Sequence, residues 1–252
     1  MKKSIIITLI GVFVAAATFA QEETRNLSAF SEVSAQEGIS VYLSKGSSET
    51  ARIVINGGNV DLDEVLTDIS GDRLKIHLED RKGWNNRNVD VDVYVTYKST
   101  LRALKASSAA SIKAEGVIEA DGDFDVDVSS AGDIKAKIVG IDELEVEASS
   151  AGDAKLEVEA NEIEANVSSA GGIEISGIAK MQDIKASSSG DYEGYDLESE
   201  EAEASASSGG SIEVNVKEKI RARASSGGSV RYEGNPSYVN ADSSSGGRVK
   251  KS

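Results

Sequence analysis

Apolar and polar residues alternate on both sides of a short turn that recurs eight times in the second half of the chain. Each turn begins with two serines, as in Ser-Ser-Ala-Gly-Asp at Ser129, and successive turns lie 18 to 22 residues apart. One and three places before each serine pair the residue is small or apolar, and the residue between them is polar. This period of two is typical of a strand that buries one face. The pairs begin at Ser107, Ser129, Ser149, Ser168, Ser187, Ser207, Ser225 and Ser244.

The repeat length indicates the architecture. A period near 19 residues is too short for a strand–helix unit with two loops, but it suits one coil of a β-helix, whose strands pair in parallel about 4.8 Å apart. Each repeat predicts a strand, a tight turn, a second strand and a return that holds Gly116, Gly140 or Gly177. We therefore predict an all-β, single-stranded, right-handed parallel β-helix (solenoid) of about eight coils, because parallel crossovers are almost always right-handed.

The turn itself leads to two expectations. Glycine should supply the positive φ at the corner, because it has no Cβ. If the alternation continues through the turn, the first serine points outward and the second points inward, where it bonds along the stack. The alternative is a binding surface made of outward serines.

Residues 21–104 lack the serine pair but still alternate, at 39–43, 53–55, 74–78 and 89–95. Turns are predicted at 56–59, 70–72 and 82–86, and a short helix at 61–66. Because a solenoid must close its exposed end, we predict an N-terminal β cap with irregular first coils over 21–104. Repetitive coils follow over 105–252, and 21–252 form one continuous domain.

The first 20 residues predict a secretory signal peptide. Lys2 and Lys3 precede an apolar run over 5–17, and Thr18-Phe19-Ala20 gives a cleavage site between Ala20 and Gln21. A membrane anchor is the alternative, but spanning needs roughly 20 apolar residues. We expect export through the Sec pathway to the periplasm or cell surface, with no membrane insertion once the signal is removed.

Composition narrows the chemistry. The chain has no cysteine, which excludes a lipoprotein anchored through cysteine, disulfides and thiolate metal sites. The net charge is −16, so the surface repels nucleic acid, and we expect no nucleic-acid partner. The one histidine, His77, lies on the polar face of an alternating strand, and no catalytic motif surrounds it. We therefore expect neither an enzyme nor a bound cofactor.

An ordered set of segments resembles a known family. Ala-Phe-Ser-Glu-Val from Ala29 comes first, followed by Gly-Ile-Ser-Val-Tyr-Leu from Gly38, Ser-Gly-Asp-Arg-Leu-Lys-Ile from Ser70, the alternating residues 89–97 and the serine–glycine turns. This order is similar to that of the head GIN domain family of proposed autotransporter adhesins, common in exported proteins of the Bacteroidetes. The resemblance implies a β-helix-like fold, an exported location and an adhesive role.

Two polar columns are candidate sites. Four residues before the serine pairs, carboxylates recur on five consecutive coils, and we call this set the acidic ladder. It is either a solvated face, a weak calcium site or a docking strip for a basic partner. Its members are Asp125, Glu145, Glu164, Asp183 and Glu203.

The second column lies six residues after the first serine and changes sign in blocks. Such blocks could steer a partner, bias self-association or simply keep the surface soluble. The column reads Lys113, Lys135, Lys155, Glu174, Glu193, Glu213, Arg231 and Lys250.

These observations favour a non-catalytic, exported cell-envelope module for binding, adhesion or scaffolding. Its expected partner is an envelope protein or a glycan, and the coil near Val249, which has no evident cap, could associate end to end. The alternative function is a polysaccharide-active β-helix enzyme of the lyase or hydrolase kind. A surface for ice or crystalline polysaccharide is a third class, but no Thr-x-Thr rows occur.

Overall fold

The computed structural model describes residues 21–79 and 88–252. The predicted signal peptide with Ala20 and the predicted turn at 82–86 lie outside these residues. Within the described ranges, no helix is long and apolar enough to cross a membrane. The strands are β1 (Gln21–Asn26), β2 (Glu32–Ala35), β3 (Ser40–Lys45), β4 (Thr50–Gly58), β5 (Val65–Ser70), β6 (Arg73–Leu78), β7 (Val89–Tyr97), β8 (Ala103–Ala106), β9 (Ser111–Val128), β10 (Asp133–Ala148), β11 (Asp153–Val167), β12 (Gly172–Ala186), β13 (Asp191–Ala206), β14 (Ser211–Ala224), β15 (Ser229–Glu233), β16 (Tyr238–Ser243) and β17 (Arg248–Lys251).

The repetitive part is a parallel β-solenoid, as predicted. Strands β9 to β14 pair in parallel with their neighbours, and equivalent residues of successive coils lie in register, as Ile134, Ala154 and Ile173 do. Strands β9, β10 and β12 each contain a glycine with positive φ, such as Gly140 in β10. The described residues make about seven turns of the solenoid.

The first coils do not follow chain order. The coil made by β2 and β3 lies between two later segments, because β2 pairs with β6 and β8 while β3 pairs with β7 and β9. Antiparallel strands cover the outer edges: β4 pairs with β7, β1 pairs with β4, and β5 pairs with β6. The antiparallel strands occupy the hydrogen-bonding edges that a bare first coil would expose.

Ion pairs between one buried carboxylate and two partly exposed arginines hold this interleaved cap together. Glu32 of β2 is 7% exposed, and its carboxylate lies 2.7 Å from Arg73 Nε and 2.6 Å from Arg102 Nη2. Arg73 belongs to β6 and Arg102 directly precedes β8, so one carboxylate joins all three neighbouring strands. The predicted helix at 61–66 is reduced to one 3-10 turn, Leu62–Glu64, capped by Asp61.

A single hydrophobic core runs through the described residues from Phe30 to Val230. The predicted inward columns are buried: Val126, Val146, Ala165 and Ile184 are each at most 1% exposed. Because successive coils place the same kind of residue at the same height of the column, the interior is made of aliphatic ladders.

The turns contradict one expectation and meet the other in part. The second serine is exposed in the described turns, so the predicted inward serine column is wrong. Glycine takes a positive φ in the last three turns, as at Gly227 (77°), but the earlier turns place serine and alanine there, with 52° at Ser130 and 58° at Ala131. Two consecutive positive φ values and a 2.9 Å bond from Gly132 N–H to Ser129 O define a type I′ turn. A type I′ turn rotates both central side chains outward, which explains the reversal.

Candidate functional site

The turns stack into a continuous edge. The amide of Ala131 donates to the carbonyl of Ser150 on the next coil (3.1 Å), and the amide of Ala151 donates to the carbonyl of Ser169 (3.2 Å). These bonds run through the corner and offset the strain of non-glycine residues in the left-handed region. The exposed serine and alanine side chains therefore form a regular strip, one pair per coil.

Close approach explains the glycine that closes the last seven turns, whereas the first turn closes with Ala110. A Cβ on Gly152 would lie 2.7 Å from the carbonyl carbon and oxygen of Val128. Real Cβ atoms do not approach backbone so closely, so any larger residue would force the coils apart. The glycine is there for the packing of coils, and the serine and the small residue before it make the turn.

The acidic ladder forms as predicted. Strand register places Asp125 beside Glu145, Glu145 beside Glu164, Glu164 beside Asp183 and Asp183 beside Glu203. None of the five side chains is buried, and that of Glu145 is exposed. Like charges directly opposite one another on adjacent strands repel, so the ladder raises the free energy of the folded chain unless cations are near.

Basic neighbours neutralise one end of the ladder. Lys185 Nζ lies 3.1 Å from Glu164 Oε1 and 3.8 Å from Asp183 Oδ2, and its hydrogen bond lowers the pKa of Glu164. Arg221, which follows Glu203 in register, donates to that carboxylate. The cations thus occupy the later coils of the ladder.

The other end stays acidic. Asp125 and Glu145 form no salt bridge among the described residues, and Glu147 lies on the same strand as Glu145. Partial burial, followed by the charges of Glu147 and Asp125, raises the pKa of Glu145. This pair is the part of the ladder that a cation or a basic partner would stabilise most. Within 21–79 and 88–252, no group of three or more histidines and carboxylates is arranged to hold a metal ion.

The sign-changing column also forms a straight row on the other face. Strand register continues it beyond the repeats: Lys113 lies beside Tyr42, Tyr42 beside Tyr94, and Tyr94 beside Arg52. The two tyrosine rings stack with their centroids 5.0 Å apart, and the Arg52 guanidinium lies 4.1 Å from the centre of the Tyr94 ring. Sequence reasoning missed this extension because the three strands are not consecutive in the chain.

His77 lies half-buried on the polar face of β6, as expected. Its Nε2 is 3.0 Å from Asp68 Oδ2 and its Nδ1 is 3.1 Å from the carbonyl oxygen of Leu78. Both ring nitrogens are therefore engaged, Nε2 across the β5–β6 hairpin and Nδ1 within β6. Neither is left to activate a nucleophile, so this histidine–carboxylate pair has a structural role.

Comparison with known proteins agrees with this architecture. The family model described as "Putative auto-transporter adhesin, head GIN domain" matches residues 29–157 and 139–236, most of the chain. The chain belongs to the head GIN domain family. No curated protein matches it in sequence.

Solved structures of other bacterial proteins show the same fold. A "putative adhesin" from Parabacteroides merdae superposes with a TM-score of 0.80 at 18% identity, covering 93% of this chain and 97% of the other. A "putative adhesin" from Parabacteroides distasonis gives 0.82 at 18% identity, with the same coverage. A "putative lipid binding protein" from the latter organism gives 0.77 at 18% identity, again with 93% and 97% covered.

An open groove of about 580 Å³ lies along the glycine corner of this head GIN domain. Its wall includes Asn161, Ile178 and Lys217, and Lys217 Nζ is bound to Glu198 Oε1 at 2.5 Å. Asn161 donates to Asp142 Oδ1 at 3.0 Å. Two pairs of polar side chains in the groove are thus bonded to each other, and Ile178, 54% exposed, is its main apolar side chain.

The head GIN domain also contains a buried polar chain that sequence reasoning missed. Tyr192 donates to Gln182 Oε1 (2.7 Å), Gln182 Nε2 donates to Ser199 Oγ (2.8 Å), and Ser199 Oγ donates to the carbonyl of Asn215 (3.1 Å). Burial raises the pKa of the Tyr192 hydroxyl, which therefore stays a donor. The signal was a tyrosine in an aliphatic column with Gly194 two residues later, because a Cβ on Gly194 would lie 2.6 Å from the tyrosine ring.

Proposed function

We propose that this head GIN domain is an exported, non-catalytic module of the cell envelope that holds a partner through repeated surface rows, as an adhesive or scaffold unit. The family description and the adhesin-named structural neighbours support this class of function. The solenoid suits it because identical coils present the same side chain at about 4.8 Å intervals, which multiplies weak contacts along one line.

The observation that carries the proposal is the unneutralised end of the acidic ladder. Asp125 and Glu145 lie on adjacent coils without a salt bridge in the described residues, and partial desolvation, followed by the charge of neighbouring carboxylates, raises the pKa of Glu145. A basic segment of an envelope protein, or a glycan held through calcium, would remove this repulsion on binding. The partner therefore binds where the negative charges of the folded chain lack salt bridges.

The experiment uses the chain from Gln21 onward to capture partners from an envelope fraction and to probe a glycan array with and without calcium. The test variant is Asp125→Asn with Glu145→Gln. The matched control is Asp196→Asn with Glu233→Gln, which removes the same charge from exposed residues outside the ladder. Loss of capture in the test variant alone supports the proposal. Equal capture by both variants would place the binding surface elsewhere and contradict it.

A second measurement addresses the alternative of a polysaccharide-active enzyme. Uronate polymers are incubated with the same protein and the released oligosaccharides are measured. We expect retention of a bound polymer or protein without any product. Release of shorter chains would overturn the non-catalytic assignment. If the protein bound lipid vesicles but no protein or glycan, the proposed class of partner would be wrong.

A further inference from the structure

The centre of the sign-changing row is built from six charged residues on consecutive coils. Strand register places each beside the next, so they form a line about 24 Å long at the strand spacing. Five of the six side chains are exposed, and Glu213 is half-buried. We call these residues the central row: Lys113, Lys135, Lys155, Glu174, Glu193 and Glu213.

Contacts within the chain satisfy only part of the central row. Lys155 binds Glu174 at the boundary between the blocks, and Arg231 Nη1 lies 2.8 Å from Glu213 Oε1. Lys113, Lys135 and Glu193 form no salt bridge among the described residues. Partial burial and the charges of Asp191, Glu174 and Glu213 raise the pKa of Glu193. Each block therefore keeps unpaired charge, which an opposite block would neutralise.

The order of the charges makes the row complementary to its own reverse. Inverting it about the point between Lys155 and Glu174 places every lysine where a glutamate was. A two-fold axis that lies in the interface, parallel to the strands, performs this inversion between two facing copies, as the commonest kind of homodimer requires.

We propose that two copies of this chain pack face to face through the central row, in antiparallel orientation, as a homodimer. Lys113 meets the partner's Glu213, Lys135 meets the partner's Glu193, and Lys155 meets the partner's Glu174. The symmetry repeats these contacts, giving six ion pairs. The stacked tyrosines extend the match, since Tyr42 faces the partner's Arg231 and Tyr94 faces the partner's Lys250, which suits cation–π contacts.

The row of residues next to the central row adds little electrostatic repulsion to this dimer. Two residues before the central row stand Ser111, Asp133, Asp153, Gly172, Asp191 and Ser211 in register. The same axis sets Asp133 opposite the partner's Asp191, a like-charged contact, but sets Asp153 opposite a glycine and serine opposite serine. Opposite charges therefore outnumber like charges across the interface.

Charge-reversal variants test the proposal on the chain from Gln21 onward. The first variant carries Lys113→Glu and Lys135→Glu, and the second carries Glu193→Lys and Glu213→Lys. Each alone would place four like-charged contacts in its own homodimer, whereas a mixture of the two regains all six opposite pairs. Sedimentation should show a dimer for the parent chain at low ionic strength, weakened by salt. Each variant alone should dimerise about 100-fold more weakly, and their mixture should form a heterodimer.

Cross-linking tests the register independently. Because the chain has no cysteine, Lys135→Cys and Glu193→Cys can be introduced into separate proteins without interference. We expect a disulfide between the two proteins when they are mixed, and none between Lys135→Cys and an Asp196→Cys control. A monomeric parent chain at low ionic strength, or a variant mixture that stays monomeric while each variant keeps its β circular dichroism, would overturn the dimer.

Discussion

The hydroxyl of Tyr192 donates a 2.7 Å hydrogen bond to the side-chain carbonyl of Gln182 inside the solenoid. Both residues are fully buried, and the two lie on successive coils, β12 and β13. A buried polar group with a partner is tolerated, but one without a partner costs its full desolvation. This bond therefore fixes how the two coils meet at a point where their register shifts, between Glu174 and Gly177.

Replacing Tyr192 with phenylalanine should destabilise the chain by about 1–3 kcal/mol, because the Gln182 carbonyl then loses its donor. Urea unfolding followed by circular dichroism measures the change. The control is Tyr195→Phe, since the Tyr195 hydroxyl forms a hydrogen bond with the exposed Ser252 side chain. Equal free energies of unfolding for the two variants would show that the buried hydrogen bond makes no net contribution to stability.

Substitution of the closing glycine tests the packing of the turns. Gly152→Ala should cost about 1–3 kcal/mol, because the new methyl group meets the Val128 carbonyl. Gly227→Ala should cost less, about 1 kcal/mol, because nothing lies within 4 Å of the new methyl group and only the positive φ of +77° opposes it, as Ala131 tolerates in its own turn. Thermal unfolding of both variants checks the contrast. A larger loss for Gly227→Ala would mean that backbone strain, and not coil spacing, selects glycine.

Removing charge from the acidic ladder should stabilise the fold. Because the pKa of Glu145 is raised in the folded chain, its ionised form destabilises the fold above that pKa, and the effect vanishes below the unfolded pKa of about 4.5. Glu145→Gln should therefore raise the melting temperature at pH 7, by the equivalent of about 0.5 kcal/mol, and leave it unchanged near pH 3. A stabilisation that is equal at both pH values would have another origin.

Calcium should act on the same repulsion. Millimolar calcium is expected to raise the melting temperature of the parent chain, and to do so less in Asp125→Asn with Glu145→Gln. Magnesium at the same concentration is the control, because it keeps its water shell more firmly. An unchanged melting temperature in calcium would contradict a calcium site on the ladder. Docking of a basic partner would then remain as its binding role.

The last strands present an edge that could join copies end to end. Within the described residues β16 pairs only with β14 and β17 only with β15, and Tyr238 and Val239 are 48% and 45% exposed. Deleting residues 243–252 should abolish assemblies larger than a dimer while leaving the central row intact. Light scattering over a concentration series measures this, and larger assemblies that survive the deletion would contradict the edge model.

The sequence predicted the repetitive coils well, for a definite reason. In a parallel stack of equal coils, residues one period apart must lie over one another, so spacing alone identified the buried columns and the acidic ladder of Asp125 to Glu203. The alternation also placed His77 on the polar face. The same logic could not find the polar chain of Tyr192, Gln182 and Ser199, because these residues occupy positions that are aliphatic or irregular in the other coils.

Sequence by itself determined which face of each strand is buried, because period-two alternation is a local property of an extended chain. Only the tertiary structure decided which strands are neighbours where the repeat fails. The coil of β2 and β3 sits between β6–β7 and β8–β9, and this placement alone brings Arg52, Tyr94 and Tyr42 into line with Lys113. The tertiary structure also decided the conformation of the turns, because backbone hydrogen bonds between stacked coils hold Ser130 and Ala131 at positive φ.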